Sequence, residues 1–508
     1  MFLELLQKFI EKEMRFWSIF KSYGVEGHSS NKYNKGEGKL VKTNFNFKIQ
    51  YRILEVFIMS DKRNELITER PIKLMFKLCI PAIVGMIVIG LYTFMDGVYA
   101  GQMIGEYAMA AISVAYPITF INSGVATLIG IGSASVLSRA IGKKDQETID
   151  KIMPNLAALV LIISSIITVL AIIFAEQLLR LTGATGEILK YATDYLRIVF
   201  CASIFVNFTQ SANMVMRGEG LMKKAMLIMG FGAIMNIILD PIMITLMPNK
   251  GVNGVAIATI ISQILQALVT LSYFLRKSKN VKLTGVKLEK KLTKEVFAIG
   301  VSAMLMQILS MIQQTLFFRM AFKYGGDASG VIMSASLRLQ AFTFIPLWGM
   351  SQGLQPIVGT NYGAKKFERV KKSMNLFMMA STILALIFWA PIQLMPETFL
   401  GLFIKDSSIV VQGANKFRIF YSVFIVYGLV IMITTFFQAI GHGKRAGQLV
   451  ILRQFILFVP TVILLPKFLG ESALWYVAPI VDFTVIVICM IFLKKEYSKL
   501  SVHEVACK

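Results

Sequence analysis

Runs of about twenty mainly apolar residues recur along the chain, each the length a helix needs to cross the hydrocarbon core of a membrane. Twelve can be marked, at roughly 75–99, 109–137, 154–176, 192–215, 223–247, 253–275, 296–321, 330–358, 373–395, 410–438, 446–468 and 472–493. No soluble fold could cover so much apolar surface. Only 16% of the 508 residues are charged, against about 25% in an ordinary soluble domain. The sequence predicts an all-α polytopic membrane protein with twelve transmembrane helices.

The net charge of +24 would suggest a nucleic-acid binder in a soluble protein. Its placement excludes that partner. Basic clusters follow the even-numbered spans: Arg139/Lys143/Lys144/Lys151, Arg217/Lys223/Lys224, Arg276 through Lys294, Lys365/Lys366/Arg369/Lys371/Lys372, Lys444/Arg445 and Lys494/Lys495/Lys499. The opposite loops carry few charges. By the positive-inside rule both termini lie in the cytoplasm, where the basic loops meet anionic lipid.

Residues 1–58 differ from the rest. Gly24 to Lys42 is polar and predicts disorder. Phe2 to Phe20 has helical spacing of apolar residues but carries Glu4, Lys8, Glu11, Lys12 and Glu13. It reads as an interfacial helix rather than a span or signal peptide. Two readings stand: a genuine extension, or a physiological start at Met59. The expected organisation is therefore an extension over 1–58, a first lobe over 59–275, a basic linker over 276–294, a second lobe over 295–493 and a cytoplasmic tail over 494–508. The cysteines (Cys79, Cys201, Cys489, Cys507) are far apart, and His28, His442 and His503 lie outside the apolar runs. That spacing predicts neither a zinc site nor a histidine acid/base centre.

The two halves echo one another. Ser138-Arg139-Ala140-Ile141-Gly142-Lys143-Lys144 after span 2 resembles Thr360-Asn361-Tyr362-Gly363-Ala364-Lys365-Lys366 after span 8, with the glycines 221 apart. Gly218-Glu219-Gly220 after span 4 aligns with Gly441-His442-Gly443 after span 10, at an offset of 223. Both Gly-x-Gly segments read as tight interhelical turns, since no strand precedes them. Six spans per half is even, so the repeats run parallel about an axis along the membrane normal, an architecture of transporters.

Ionisable groups deep in a span are costly and are candidates for function. Asp96 lies towards the outer end of span 1, with Tyr92 one turn before it. Asp240 lies midway along span 5, with Asn236 one turn before it and Pro241 after it. A carboxylate in hydrocarbon must be neutralised, by a proton, a bound cation such as Na⁺, or a partner. These acids therefore either couple ion movement to transport or are structural and hydrogen-bonded. Asn207, Gln210 and Asn213 form a polar stripe on span 4, and Gln307, Gln313 and Gln314 lie in span 7; either set lines a substrate cavity or joins helices. The 29 methionines suit a pliable binding surface or ordinary membrane filler. Arg319 and Arg453 are expected near membrane ends, where they snorkel; Arg338 and Asp482 have no assigned role.

Several separated motifs then converge on one family. Pro81, Met95-Asp96-Gly97-Val98-Tyr99-Ala100-Gly101, Ser138 to Gly142, Arg217-Gly218-Glu219-Gly220, Asn236 to Pro241, and Gly251 to Thr259 occur in the order found in MATE (multidrug and toxic compound extrusion) exporters. The chain resembles this family from about Lys62 to Ser498, and its bacterial MepA/DinF-like subgroup above all. The resemblance implies two six-helix lobes around a V-shaped cavity, rocking between inward and outward access. It implies a monomer in the bacterial cytoplasmic membrane that exports small amphipathic, often cationic compounds against H⁺ or Na⁺ entry. No cofactor is expected beyond the coupling ion. Carried over residue by residue, the coupling site comprises Tyr92, Asp96, Asn236, Asp240 and Thr259, with Na⁺ or a proton held at Asp96, Asn236, Asp240 and Thr259. Spans 7 and 10 carry no acid, which argues against the second-lobe cation site of another branch. A lipid-linked oligosaccharide flippase of the same superfamily would need several cations facing the midplane. An intramembrane enzyme would need a His, Asp or Ser-His cluster, and none is visible.

Overall fold

The computed structural model describes residues 65–99, 106–181, 186–247, 252–278, 280–404 and 406–506. Within them, the side chains of 89–99, 106–110, 113, 116, 117, 181, 187 and 503–506 are outside the description. The expectations for residues 1–58 fall outside the described residues. Among those described, the helices in chain order are α1 (Pro71–Tyr99), α2 (Glu106–Lys143), α3 (Gln146–Leu181), α4 (Gly186–Cys201), α5 (Ser203–Gly218), α6 (Met222–Leu246) and α7 (Asn253–Ser272). They continue with α8 (Lys290–Gly363), α9 (Phe367–Leu394), the short α10 (Pro396–Gly401), α11 (Ser407–Tyr421), α12 (Phe424–Ala439), α13 (Gly443–Ile451), α14 (Phe458–Leu469) and α15 (Val477–Ala506). A π-helical stretch, Leu452–Leu457, joins α13 to α14.

Among the described residues, ten helical segments are long and apolar enough to cross a membrane, and the bent pair α4–α5 makes an eleventh. The 74-residue α8 is two arms, 290–325 and 327–363, divided at Gly326 where φ is 64° and ψ is −163°. Only glycine adopts that conformation without strain. The division yields the twelve spans read from the sequence. Span 4 departs from a straight rod: α4 and α5 meet at 55°. The Thr168 hydroxyl donates to the Phe200 carbonyl at 3.0 Å, an oxygen that an unbroken helix would use for its own ladder. Outward stripes such as Ile166, Val169, Leu170 and Ile173 on α3, or Met379, Ile383, Leu386 and Ile387 on α9, are exposed at helical spacing. Such stripes are the faces a membrane protein turns to lipid.

The parallel repeat is visible in atomic detail. Lys144 and Lys365, 221 apart, share φ of 59°. Their turns close with the same bonds: Lys144 N to Ile141 O and Asp145 N to Ala140 O, against Lys365 N to Tyr362 O and Lys366 N to Asn361 O. The Gly-x-Gly alignment needs correction. Gly220 and Gly441 are the left-handed pair, with φ of 82° and 87°. Leu221 N bonds Met216 O as His442 N bonds Phe437 O. The register is therefore 221 here too, not 223; the second glycine of one triplet matches the first of the other.

The lobes meet along a seam of small residues at the end that carries the basic loops. A β-carbon on Gly142 would lie 2.0 Å from the Thr360 carbonyl oxygen, and one on Gly363 would lie 2.2 Å from that of Arg139. These contacts exchange under the 221 offset. Gly132 and Gly300 let α2 approach the first arm of α8 at Val296 and Leu128, while Gly349 and Gly353 let the second arm approach α1 at Ile83 and Cys79. Ser135 Oγ donates to the Gln438 carbonyl at 2.5 Å, and Arg139 pairs with Glu295 across the seam at 2.8 Å. Before α1, Leu66 is buried, its carbonyl accepting from Asn361 Nδ2 of the second arm at 2.9 Å.

Candidate functional site

The first-lobe site is built on α6. Asp240 is fully buried there, and Asn236 Nδ2, one turn earlier, donates to Asp240 Oδ1 at 3.1 Å. Asn236 is itself buried, and its Oδ1 has no hydrogen-bond partner among the described residues. The Asn236 amide and the Asp240 carboxylate share one buried corner that offers several oxygens. Such a corner is suited to a proton or a small hard cation.

Helix α7 packs beside α6 and carries Thr259, half-buried, with its hydroxyl donating to the Val255 carbonyl at 3.0 Å. Its lone pairs remain available as a further oxygen donor. Helix α1 packs on the other side, where the Gly85 backbone abuts the Met226 side chain. Asp96 is 11 residues beyond Gly85 and Asp240 is 14 beyond Met226. With a rise of about 1.5 Å per residue, the two backbones reach similar heights, within about one helical turn. The Tyr92 and Asp96 side chains lie outside the described ones. Among the described residues, no cluster of three or more His, Cys, Asp or Glu gathers as a metal site.

A cavity of about 40 Å³ lies between the lobes, just above the seam. It is lined by Ile131 of α2, Met214 and Arg217 of α5, and Met306, Phe344, Trp348, Ser351, Gln352 and Gln355 of the two α8 arms. Ile431, Thr434, Thr435 and Gln438 of α12 complete it. It lies on the pseudo-twofold axis, since Met214/Thr435, Arg217/Gln438 and Ile131/Gln352 are all 221 apart.

Of the two readings of the polar stripe on span 4, the hydrogen bonds of Asn207 and Asn213 are of the helix-joining kind. Asn207 is buried and donates from Nδ2 to Asn122 at 2.7 Å and to Ser164 at 2.8 Å, while Asn213 donates to the Ala225 carbonyl at 2.7 Å. Both tie first-lobe helices together. Gln210 and Gln307 are half-buried and Gln314 is exposed, and none of the five lines this cavity.

The sequence also misplaced Arg453. It does not snorkel: its Nε donates to Asp482 Oδ1 at 2.7 Å, and its guanidinium lies 4.5 Å from the centre of the Tyr427 ring. Both partners of the ion pair are largely buried. The pairing joins two helices and could not be read from residues 29 apart in the chain. Breaking such a pair strands a charge in the core and costs about 3–5 kcal/mol, whereas an apolar replacement of both partners is often neutral. Asp482→Asn should therefore lower the thermal unfolding temperature in detergent sharply, whereas the apolar double replacement Asp482→Leu with Arg453→Met should lower it far less. Equal unfolding temperatures for wild type and Asp482→Asn would show that the pair contributes nothing.

Fold and site together define a polytopic membrane protein of two parallel six-span repeats with a buried acid in the first lobe. The chain belongs to the MatE family of membrane transporters, whose pattern it matches over residues 81–242 and 302–463. Those segments begin and end 221 residues apart, the offset found in the turns and the seam. The chain is 27% identical over 403 residues to the multidrug export protein MepA of Staphylococcus saprophyticus, covering 79% of this chain and 88% of that one. To MepA of Staphylococcus aureus it is 26% identical over 424 residues, covering 82% and 92%. A solved structure described as the outward-facing conformation of a multidrug resistance MATE family transporter of the MOP superfamily superposes with a TM-score of 0.80 at 25% identity. It covers 86% of this chain and 98% of its own.

Proposed function

We propose that this protein exports amphipathic, often cationic compounds from the cell in exchange for inward H⁺ or Na⁺, by alternating access between its lobes. The observation that carries the reading is Asp240. A carboxyl group with no exposed surface, beside an amide oxygen without a partner, is an expensive arrangement in a membrane protein. A site that must load an ion on one side and release it on the other gives that cost a purpose. Export as the direction follows the names of the two MepA relatives.

On the reading that both termini are cytoplasmic, the close contacts at Gly142 and Gly363 support assigning the seam as the cytoplasmic closure and this conformation to the outward-facing half of the cycle. In the other half the seam parts, and a lipophilic cation enters from the cytoplasm, drawn by ionised Asp96 and Asp240. After the lobes rock, H⁺ or Na⁺ arriving from outside neutralises the acids and the drug leaves. The membrane potential contributes about 2.3 kcal/mol per charge per 100 mV.

A flippase for a lipid-linked sugar would need several cations facing the cavity. Arg217 is the one arginine or lysine among its lining residues, and Arg338 is exposed elsewhere on α8. Ethidium efflux from cells tests the proposal: Asp96→Asn and Asp240→Asn should each lose efflux, and wild-type rates in both would sink the assignment.

A further inference from the structure

The interlobe cavity holds a charge that the export cycle does not use. Arg217 sits in the last turn of α5 and is 6% exposed. Its Nε reaches the Asn213 carbonyl at 3.4 Å, a long bond that takes one of five N–H donors. Among the described residues no carboxylate pairs with it, and no other hydrogen bond holds its guanidinium. The carboxyl end of the α5 dipole offsets part of the charge. The rest of the desolvation cost is unmatched by any protein group described.

What faces Arg217 across the cavity is also under-satisfied. Gln352 gives its Nε2 only to the Met86 sulfur, at 3.6 Å, and its buried Oε1 has no partner. Gln355 Nε2 reaches the Ile131 carbonyl at 3.4 Å. Ser351 adds a hydroxyl, and Phe344 and Trp348 supply an aromatic wall. The pseudo-symmetry sharpens the point. The position equivalent to Arg217 is Gln438, which shares the cavity and donates to Ser302 at 3.2 Å. One lobe thus carries a neutral, bonded amide where the other carries a bare cation.

We propose that Arg217, with the amides of Gln352 and Gln355, forms a seat for an anionic group at the base of the interlobe cavity. The group would be either the carboxylate of a transported amphiphile, whose ring system rests on Phe344 and Trp348, or a small inorganic anion. Charge-assisted bonds from a guanidinium fork suit such a group better than any neutral ligand. The seat goes beyond the exporter reading and leans on it only where a carried compound supplies the anion.

The purified full chain in nanodiscs is titrated with two dyes of one skeleton: a rhodamine with a free carboxylate, and its methyl ester, in which that carboxylate is capped. Wild type, Arg217→Gln and the charge-retaining Arg217→Lys are compared, and the thermal unfolding of each is followed in sodium chloride and in sodium gluconate. A carboxylate seat predicts that Arg217→Gln weakens the free-acid dye by about tenfold or more, the scale of one charge-assisted hydrogen bond. The ester should change by less than about twofold, with Arg217→Lys in between. An inorganic-anion seat predicts that chloride raises the unfolding temperature of wild type and of Arg217→Lys but not of Arg217→Gln. Equal effects on both dyes, with no chloride response in any form, would overturn the proposal. If neither dye binds wild type, the exporter reading fails on its own account, and the chloride arm still decides the seat.

Discussion

Replacing Gly142 with valine is expected to abolish drug efflux while leaving a folded, membrane-inserted protein. A β-carbon there would meet the Thr360 carbonyl oxygen at 2.0 Å and the Ala364 amide nitrogen at 2.7 Å. Both are backbone atoms, so no rotamer change relieves the clash. Overpacking of this kind costs about 1–3 kcal/mol or more, enough to shift a balanced two-state equilibrium about tenfold to a hundredfold. Under the proposed alternation, the clash belongs to the state closed at the basic end, so the expected shift is towards a state with that end open. Cys79 reports it: its thiol is buried in the seam beside Gly353, 3.8 Å from the Met350 carbonyl oxygen. In a chain retaining Cys79 alone, Gly142→Val should increase labelling by a maleimide added from the cytoplasmic side. Gly363→Val, its equivalent in the second repeat, should behave alike. Wild-type transport with Cys79 still protected would mean that the seam does not gate.

Neutralising Asp240 should have the second large effect. Asp240→Asn preserves size and hydrogen bonding to Asn236 but removes the only side chain of the pair that can exchange a proton or carry a full charge. Drug export driven by an ion gradient should fall by about 5- to 150-fold, the range of a coupling energy of 1–3 kcal/mol. Binding of a neutral amphiphile should be little changed. Asn236→Ala, which leaves the carboxylate but removes the unpartnered oxygen, should retain more activity than Asp240→Asn. Transport assays in proteoliposomes made from each variant check the order; Asn236→Ala weaker than Asp240→Asn would remove the acid from the centre of the site.

Much of this was legible in the sequence because the bilayer imposes a length on every span and a charge bias on every loop. The twelve apolar runs match the described helices once Gly326 divides α8, and α4–α5, α11–α12 and α13–α14 are each taken as one span, the six-residue α10 aside. The repeat was legible in part: Gly142 and Gly363 gave the correct offset. The Gly-x-Gly triplets misled by two residues, because only backbone dihedrals reveal that Gly220 and Gly441 are the matched left-handed pair. Asp240 and Asn236 were found because their contact is local, one helical turn along α6. Features built between distant helices were not found. Arg453 and Asp482 meet only through tertiary packing, Asn207 reaches Asn122 and Ser164 on two other helices, and Arg217 looked like one more member of a basic loop cluster. A residue's type says that a charge needs a partner; the fold alone says whether it has one.

The central claim is that burial of Asp240 serves ion-coupled export. Its most direct test is uptake of ethidium into inside-out proteoliposomes with H⁺ and Na⁺ gradients imposed separately. The wild-type protein is expected to respond to at least one gradient, with the response absent in Asp240→Asn. Transport that proceeds equally with and without either gradient, or an Asp240→Asn protein as responsive as wild type, would contradict the account.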